Sequence, residues 1–386
     1  MKTIVFGAGL QGKAVIHDLM KSVEIDQIFA VDIDPLKLRE YQDSAVYKKI
    51  NCLVRDLSSE PEILDTIRFA DADIVISMLP AHFGYIVAKA AVQAGVPFVS
   101  SSYTGNLVEL DKPAKDKGIT ILPEMGFDPG IDLMLAGLAV KDLDVVEGLH
   151  SYVGGIPDES SANNPLKYKI SWTLDGVLKS YKRPAKILKD GNIISVHPPE
   201  LFAEPYVQTI EIPEIGSLEA YPNGDAVRYI PIFGFGKQLK YMGRFSLRWP
   251  GHCEKWKLFF ELGFLDEHPL NFKGISISPH QFMVQLLSPR LQFQNHERDL
   301  AVLRVQAWGL KDGVNKNIVI DLIDYRDLSS GLFAMNRTVG FTASIGAQMI
   351  LTQQIKKPGV LSPVRDLPIE LVIKQLKSRG IEIIKR

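Results

Sequence analysis

Gly7, Gly9 and Gly12 stand in VFGAGLQG, residues 5–12, with Leu10 and Gln11 between the last two. This is the spacing of a cradle for the phosphates of a dinucleotide. Gly7 permits a tight turn, Gly9 lets the backbone approach a pyrophosphate, and Gly12 lets a helix pack close to a strand. The free N–H groups at that helix's start then face the phosphates. Asp32 follows Gly12 by twenty residues and ends an apolar run. A carboxylate there accepts both ribose hydroxyls and repels a 2′-phosphate, which reads as NAD. Lys37 and Arg39 keep NADP open, and Asp32 also reads as a cap before the helical stretch DPLKLREY.

The elements around these residues agree with that chemistry. TIVFG reads as a strand, and Val15, Leu19 and Val23 recur at a spacing of four as one helix face should. IFAVD, KKINCLVRD, ADIVISMLP, VPFVSSS and GITILPE read as further strands, with helical segments such as FGYIVAKAAVQAG between them. Such alternation implies a parallel sheet covered on both faces. Ligands of such sheets sit beyond the carboxyl ends of the strands. The residues leaving those ends are Asp56, Ser77, Leu79, Ser100, Ser101, Ser102, Tyr103 and Asp128.

Past residue 126 the texture changes. AVLRVQAWGL and NIVIDLIDY predict an α+β domain with a largely antiparallel sheet. HSYVGGIPDESSANNPLKYKISW reads as a long ordered loop held by Tyr152, Tyr168 and Trp172. RTVGFTASIGAQMILTQQI returns to helical spacing.

The 386 residues are 46% hydrophobic and 23% charged, with net charge -1, which supplies no attraction toward nucleic acid or an anionic membrane. Cys52 and Cys253 lack disulfide-framework or metal-ligand spacing, and no metal is expected. No apolar run reaches the roughly 18 residues of a membrane span, and the strand-like start MKTIVFG has no signal-peptide pattern. The cytoplasm is the expected compartment. No G-x-S-x-G elbow is present, so a hydrolase reading has no support.

Longer stretches carry a more specific signal. DIVISMLPAHFGYIVAKAAVQAGVPFVSSSY, PEMGFDPGIDLMLA, HSYVGGIPDESSANNPLKYKISW, RFSLRWPGHCEKWK and NRTVGFTASIGAQMI resemble, in order, the saccharopine dehydrogenase family. Within it the chain is similar to the glutamate-forming saccharopine dehydrogenases and to lysine 6-dehydrogenases. The resemblance implies a nicotinamide-dependent oxidation of a carbon–nitrogen bond, with a small amino-acid substrate and a homodimer. It also implies a Rossmann domain over 1–126, an inserted α+β substrate and dimerisation domain over 127–337, and a C-terminal segment, 338–386, packing back on the first domain. It places Ser102 and Tyr103 on substrate, Ser100 and Ser101 nearer the nicotinamide, and Ser171 near the cofactor. It places Ser246, Leu247 and Arg248 at a substrate carboxylate.

Three positions depart from the family pattern. Val153 stands where the reductases often carry a cysteine, and Gly224 where they carry a carboxylate-gripping arginine. GHCEK, with Asp32, looks more like a lysine 6-dehydrogenase. Lysine or a polyamine precursor such as carboxynorspermidine is therefore the alternative substrate, and a non-catalytic NAD-binding sensor the second alternative.

Oxidation of an amine requires its neutral form. Asp128 is the candidate to orient the amine, and Tyr103 to donate a hydrogen bond or polarise water. Asp128 also reads as a cap of GIDLMLAGLAV with Pro129 as first helical residue, and Tyr103 as a packing ring. Arg228, Arg244 and Arg248 are the candidate carboxylate clamps, because a planar guanidinium binds carboxylate bidentately. His252 reads as a hydrogen-bonding residue and not a metal ligand.

Overall fold

The computed structural model describes residues 1–42 and 48–386. Two compact units emerge, residues 1–134 with 336–382, and residues 135–335 with 383–386.

In the first unit, β1 (Lys2–Phe6), β2 (Gln27–Asp32), β3 (Ile50–Val54), β4 (Ile74–Ser77), β5 (Phe98–Ser100) and β6 (Thr120–Leu122) form a parallel sheet. With β17 (Gly359–Val360) the seven strands run in the order β17-β6-β5-β4-β1-β2-β3. The order reverses between β1 and β4, the switch point where such sheets take dinucleotides. The helices are α1 (Leu10–Lys21), α2 (Arg39–Gln42), α3 (Glu60–Ala70), α4 (Gly84–Ala94), α5 (Asp111–Asp116) and α12 (Ile369–Ser378). Val15 and Leu19 are fully buried as their spacing demands, but α1 ends at Lys21 and leaves Val23 outside the helix and exposed.

α11 (Ala334–Leu351) brings the late part of the chain back to this sheet. A Cβ on Gly340 would lie 2.6 Å from Ala14 Cβ and 2.8 Å from Gln11 O, so only glycine allows this crossing on α1. Asp18 of α1 accepts from Arg379 Nε at 2.7 Å and Gln348 Nε2 at 3.1 Å, which ties both ends of the unit together.

α6 (Ile131–Lys141) leads into the second unit. Its sheet contains β7 (Val145–Pro157), β8 (Ala185–Lys189), β9 (Asn192–Val196), β10 (Gln208–Ile212), β11 (Gly216–Pro222), β12 (Tyr241–Arg248), β15 (Asp299–Lys311), β16 (Val314–Tyr325) and β18 (Glu382–Lys385). A separate pair, β13 (Leu270–Phe272) and β14 (Ile275–Ile277), lies apart from it. The helices are α7 (Leu174–Tyr181), α8 (Ile230–Phe233), α9 (His252–Glu261) and α10 (Pro279–Leu287).

The large sheet is largely antiparallel, as expected, although β12 runs parallel to β7. The stretch expected to be a loop from His150 is strand until Pro157, because its alternating side chains pair with β15 on one side and β12 on the other. The ordered loop begins only at Asp158. There Lys169 and Glu297, both about 95% buried, form an ion pair that Asn163 Nδ2 extends at 3.0 Å.

Candidate functional site

The first unit builds a cradle from backbone. Gly7 has φ +92, and its Cβ would meet Met78 O at 3.0 Å. A Cβ on Gly12 would lie 1.8 Å from Gly7 O, so helix and turn touch through bare backbone. Gly9 precedes α1 without a side-chain cap, and no acid occupies the first turn. The N–H groups near Leu10 and Gln11 are thus left for an anion at the positive end of the helix dipole. This arrangement fits the diphosphate of a nicotinamide dinucleotide.

Asp32 is buried and does more than end β2. Its Oδ2 accepts from Ala8 N at 2.9 Å and its Oδ1 from Asp34 N at 3.0 Å. Lys37 Nζ lies 3.3 Å away and is half exposed. The carboxylate therefore fixes the glycine turn, with the Lys37 cation beside it. The N-cap before the following turn is Asp34, which accepts from Leu36 N. Asp56 lies exposed past β3 and accepts from Ser58 N at 3.0 Å.

Ser77 and Ser100 are register partners at the carboxyl ends of β4 and β5. Both are buried, and Ser100 Oγ has no hydrogen-bond partner in the described protein. Leu79 lies two residues past Ser77 and is partly buried. The loop of Ser101, Ser102 and Tyr103 is tied to the one leaving β6, since Met125 N donates to Ser100 O and Glu124 N to Ser102 O, both at 2.9 Å. Ser101 Cβ packs against Gly126, where a Cβ would sit 3.1 Å away.

Asp128 lies in this second loop, but α6 begins only at Ile131, so Pro129 is not a helical residue and Asp128 not the cap. Gly130 stands between them at φ +147, where a Cβ would strike Gly126 O at 2.2 Å. Two acids missed from the sequence hold this region. Glu124, buried and at φ +59, accepts from Thr104 N at 3.1 Å, directly after Tyr103. Asp132 accepts from Gly130 N at 2.8 Å, and burial pushes its carboxyl up to about 7, with Glu124 adding to the rise. A left-handed non-glycine residue beside a binding loop is the kind of strain found at functional sites.

The second unit places its polar residues on one sheet face. Arg244 pairs with Ser151, Ser246 with Val153 and Tyr221, and Arg248 with Glu219, so their side chains share that face. Leu247 points to the other, fully buried among Ala220, Val302 and Ile156. Only its backbone serves the site, through the bond from Arg248 NH1 to Leu247 O at 2.8 Å. Spacing alone did not reveal this, because successive residues of a strand face opposite ways. Ser171 is buried near Gly155, where a Cβ would stand 3.4 Å from its Oγ.

Arg248 occupies an aromatic box. Its guanidinium stacks over Tyr168 at 5.5 Å, and Tyr181, Tyr221, Trp256 and His252 complete the enclosure. His252 Nε2 lies 3.1 Å from Tyr181 OH, and burial with the nearby Arg248 charge holds the imidazole well below its usual range. Burial raises the phenols of Tyr168, Tyr181 and Tyr221, leaving them neutral at neutral pH. No carboxylate of the described protein pairs with Arg248. Glu219, its register partner, is occupied by Gly251 N at 2.7 Å and Cys253 N at 2.9 Å. A buried guanidinium without a counter-ion is costly and calls for an anionic guest. Its Nε and Tyr168 OH are likewise buried without a partner.

Arg228 and Arg244 converge on one ring. Their guanidinium carbons lie 5.8 Å and 5.2 Å from the centre of Tyr229, Arg228 exposed and Arg244 buried. Gly224, four residues before Arg228, sits in a left-handed turn at φ +68.

Comparison with known proteins agrees with both halves. Residues 3–122 match the saccharopine dehydrogenase NADP binding domain, and residues 126–381 the saccharopine dehydrogenase C-terminal domain. The chain belongs to the saccharopine dehydrogenase family. The mitochondrial alpha-aminoadipic semialdehyde synthase of Bos taurus is 28% identical over 98% of this chain but only 47% of its own length. The chain therefore spans about half the length of that relative. Saccharopine dehydrogenase [NADP(+), L-glutamate-forming] of Saccharomyces cerevisiae is 28% identical, with 97% of this chain and 96% of that protein covered. The solved structure of the yeast L-Glu-forming enzyme shares the fold, with TM-score 0.85, 24% identity, and 100% and 99% coverage. No helix of the described residues is long and apolar enough to cross a membrane.

Proposed function

We propose that this chain is a dehydrogenase of saccharopine: saccharopine, water and oxidised nicotinamide dinucleotide give glutamate, 2-aminoadipate 6-semialdehyde, reduced cofactor and a proton. The observation that carries the reading is Arg248, a buried guanidinium for which the described residues supply no counter-ion. A substrate with several carboxylates supplies one, and Arg228 and Arg244 on their shared ring offer further guanidinium groups. When bound, the nicotinamide accepts the hydride from the carbon bearing the secondary amine.

The chain's own residues do the rest. The glycine turn and α1 hold the diphosphate, and Ser77 and Ser100 offer hydroxyls at the strand ends. Asp128 orients the amine by charge, and Tyr103 and Ser102 hydrogen-bond substrate or the water that hydrolyses the imine. Asp32 favours NAD over NADP by repelling a 2′-phosphate, although Lys37 moderates the preference. The reading also includes a homodimer in the cytoplasm, where the free thiols Cys52 and Cys253 stay reduced.

A second reading rests on Gly224. With no side chain there and Arg228 exposed, a substrate with fewer carboxylates, lysine or a polyamine precursor, fits the same face. Initial rates of reduced-cofactor formation with saccharopine and lysine, each with NAD and NADP, separate the two. Turnover of saccharopine supports the first reading. Turnover of lysine alone moves the function to the second, and silence with both substrates refutes both.

A further inference from the structure

The aromatic box around Arg248 holds one residue whose chemistry the proposed reaction leaves unused. His252 is the first residue of α9 and is 2% exposed. Four aromatic rings lie around its imidazole. Tyr221 stacks on it at 6.0 Å, Tyr181 meets it edge-on at 5.7 Å, and Trp256 and Tyr168 stand at 5.9 Å and 6.5 Å. A phenyl ring would fill such a place without burying nitrogen. A polar ring here must therefore gain from a hydrogen bond what it loses in desolvation.

That bond goes to Tyr181, the last residue of α7. The Tyr181 hydroxyl lies 3.1 Å from His252 Nε2, and it also hydrogen-bonds the Arg248 guanidinium. A guanidinium only donates, so the phenolic oxygen accepts from Arg248 and sends its own proton elsewhere. Two acceptors are within reach, His252 Nε2 and the hydroxyl of Tyr221, which also bonds Ser246. The imidazole nitrogen is the more basic of the two. Burial and the charges of Arg248 and Lys255 keep that imidazole neutral. With its proton on Nδ1, Nε2 is a bare acceptor facing the phenol.

The backbone holds the imidazole where this bond forms. Gly251 takes φ +87 just before α9, a left-handed turn that glycine allows. Glu219 accepts from Gly251 N at 2.7 Å and from Cys253 N at 2.9 Å, on either side of His252. Glu219 is also the register partner of Arg248. The carboxylate beside Arg248 in the sheet is thus engaged in seating His252, and the guanidinium stays open to an anionic guest.

We propose that His252 is a positioning residue for the Arg248 clamp: it takes the Tyr181 proton, turns that hydroxyl's lone pairs toward the guanidinium, and so fixes the direction in which Arg248 meets a substrate carboxylate. The inference rests on the proposed reading of Arg248 as the partner of such a carboxylate. Steady-state kinetics of the full chain with saccharopine test it, using His252→Phe, Tyr181→Phe, the double variant and His252→Gln. His252→Phe should raise the saccharopine KM about fivefold to tenfold, the worth of one neutral hydrogen bond. The loss should fall on KM and not on kcat or the cofactor KM, because the carboxylate is remote from the reacting carbon. Tyr181→Phe should raise KM as much, and the double variant no further, since both act through one hydroxyl. His252→Gln keeps an acceptor and should recover most of the affinity. Additive rises in KM, or a loss confined to kcat, overturn the positioning role. Should His252→Phe fail to fold in thermal unfolding, Tyr181→Phe and His252→Gln still decide: a raised KM in the first and a near-native one in the second is expected, and the reverse overturns the role. An unchanged KM in either phenylalanine variant overturns this inference and leaves the functional reading standing. A wild-type chain silent with saccharopine overturns that reading and this inference with it.

Discussion

Replacing Arg248 by methionine separates ligand binding from folding. In the ligand-free protein the guanidinium is held by the Leu247 carbonyl and by tyrosine rings, with no anion. Burying an unpaired ion costs several kcal/mol even after relaxation. Methionine keeps the unbranched apolar stem, drops the guanidinium and its charge, and meets an apolar neighbourhood that includes Trp256. The variant should be as stable as wild type, or more stable by about 1–4 kcal/mol, as with other buried ions replaced by apolar residues. It also loses the charge-assisted bonds to a substrate carboxylate, each about 1.5–3 kcal/mol. At about 1.4 kcal/mol per decade, kcat/KM should fall roughly tenfold to a hundredfold. Most of the loss should appear in KM, because a carboxylate remote from the reacting carbon is held equally in ground and transition states. Initial rates across saccharopine concentrations, and melting with and without saccharopine, read both effects. Wild type should melt higher with saccharopine, and the variant should not. Loss of more than about 2 kcal/mol of stability with KM unchanged would make Arg248 structural and remove the main support for an acidic substrate.

Asp32→Ala should weaken NAD binding more than NADP binding, by on the order of tenfold; equal losses in cofactor titrations would contradict the ribose role. Lys169→Met should lower stability by about 3–5 kcal/mol, because Glu297 is left buried and charged, and pairing it with Glu297→Leu should restore most of the loss in denaturant titrations. Glu124→Ala should lower kcat by releasing Thr104 N, whereas Glu124→Gln, which keeps an acceptor, should recover most of the rate. Asp132 and Asp299 are both pushed up to about 7 by burial. The native state therefore keeps protons that the unfolded chain releases near pH 4 or so. Their stabilising contribution is full below about pH 4 and is lost as pH rises through about 7. The Asp132→Asn/Asp299→Asn variant should show a flatter fall of the urea midpoint over that window than wild type.

The cofactor half was legible because its chemistry is local. The turn at Gly7, the helix at Gly12 and the strand ending at Asp32 are adjacent in sequence, and each constrains the next. The second half was legible by composition and family resemblance but not by geometry. Leu247 sits between two site residues and faces away, which only strand pairing reveals. Tyr181, Tyr221 and Glu219 come from α7 and β11, and nothing in their spacing announces that they surround Arg248 or hold its flank. Glu124 carried no signal either, since a left-handed φ is invisible in a run such as ILPEMG. HSYVGGIP was misread for a physical reason: its two glycines suggest a loop. In fact they lie beneath close neighbours, and a Cβ on Gly154 would meet Leu247 Cβ at 3.0 Å.

The cofactor-binding half is assembled from both ends of the chain, residues 1–134 and 336–382. On a ribosome the glycine turn emerges some 330 to 350 residues ahead of the helix bearing Gly340 and the strand at Gly359. At about 5–20 residues per second, the flank of α1 around Ala14 and Val15 waits on the order of fifteen to sixty-five seconds for its cover. During that interval the nascent sheet has an unfilled edge beside β6, while the intervening unit can already close except for β18. Nucleotide recognition is therefore a late event of synthesis here. A truncation that spares every phosphate-facing residue but removes the last fifty should still yield a chain that cannot hold the dinucleotide.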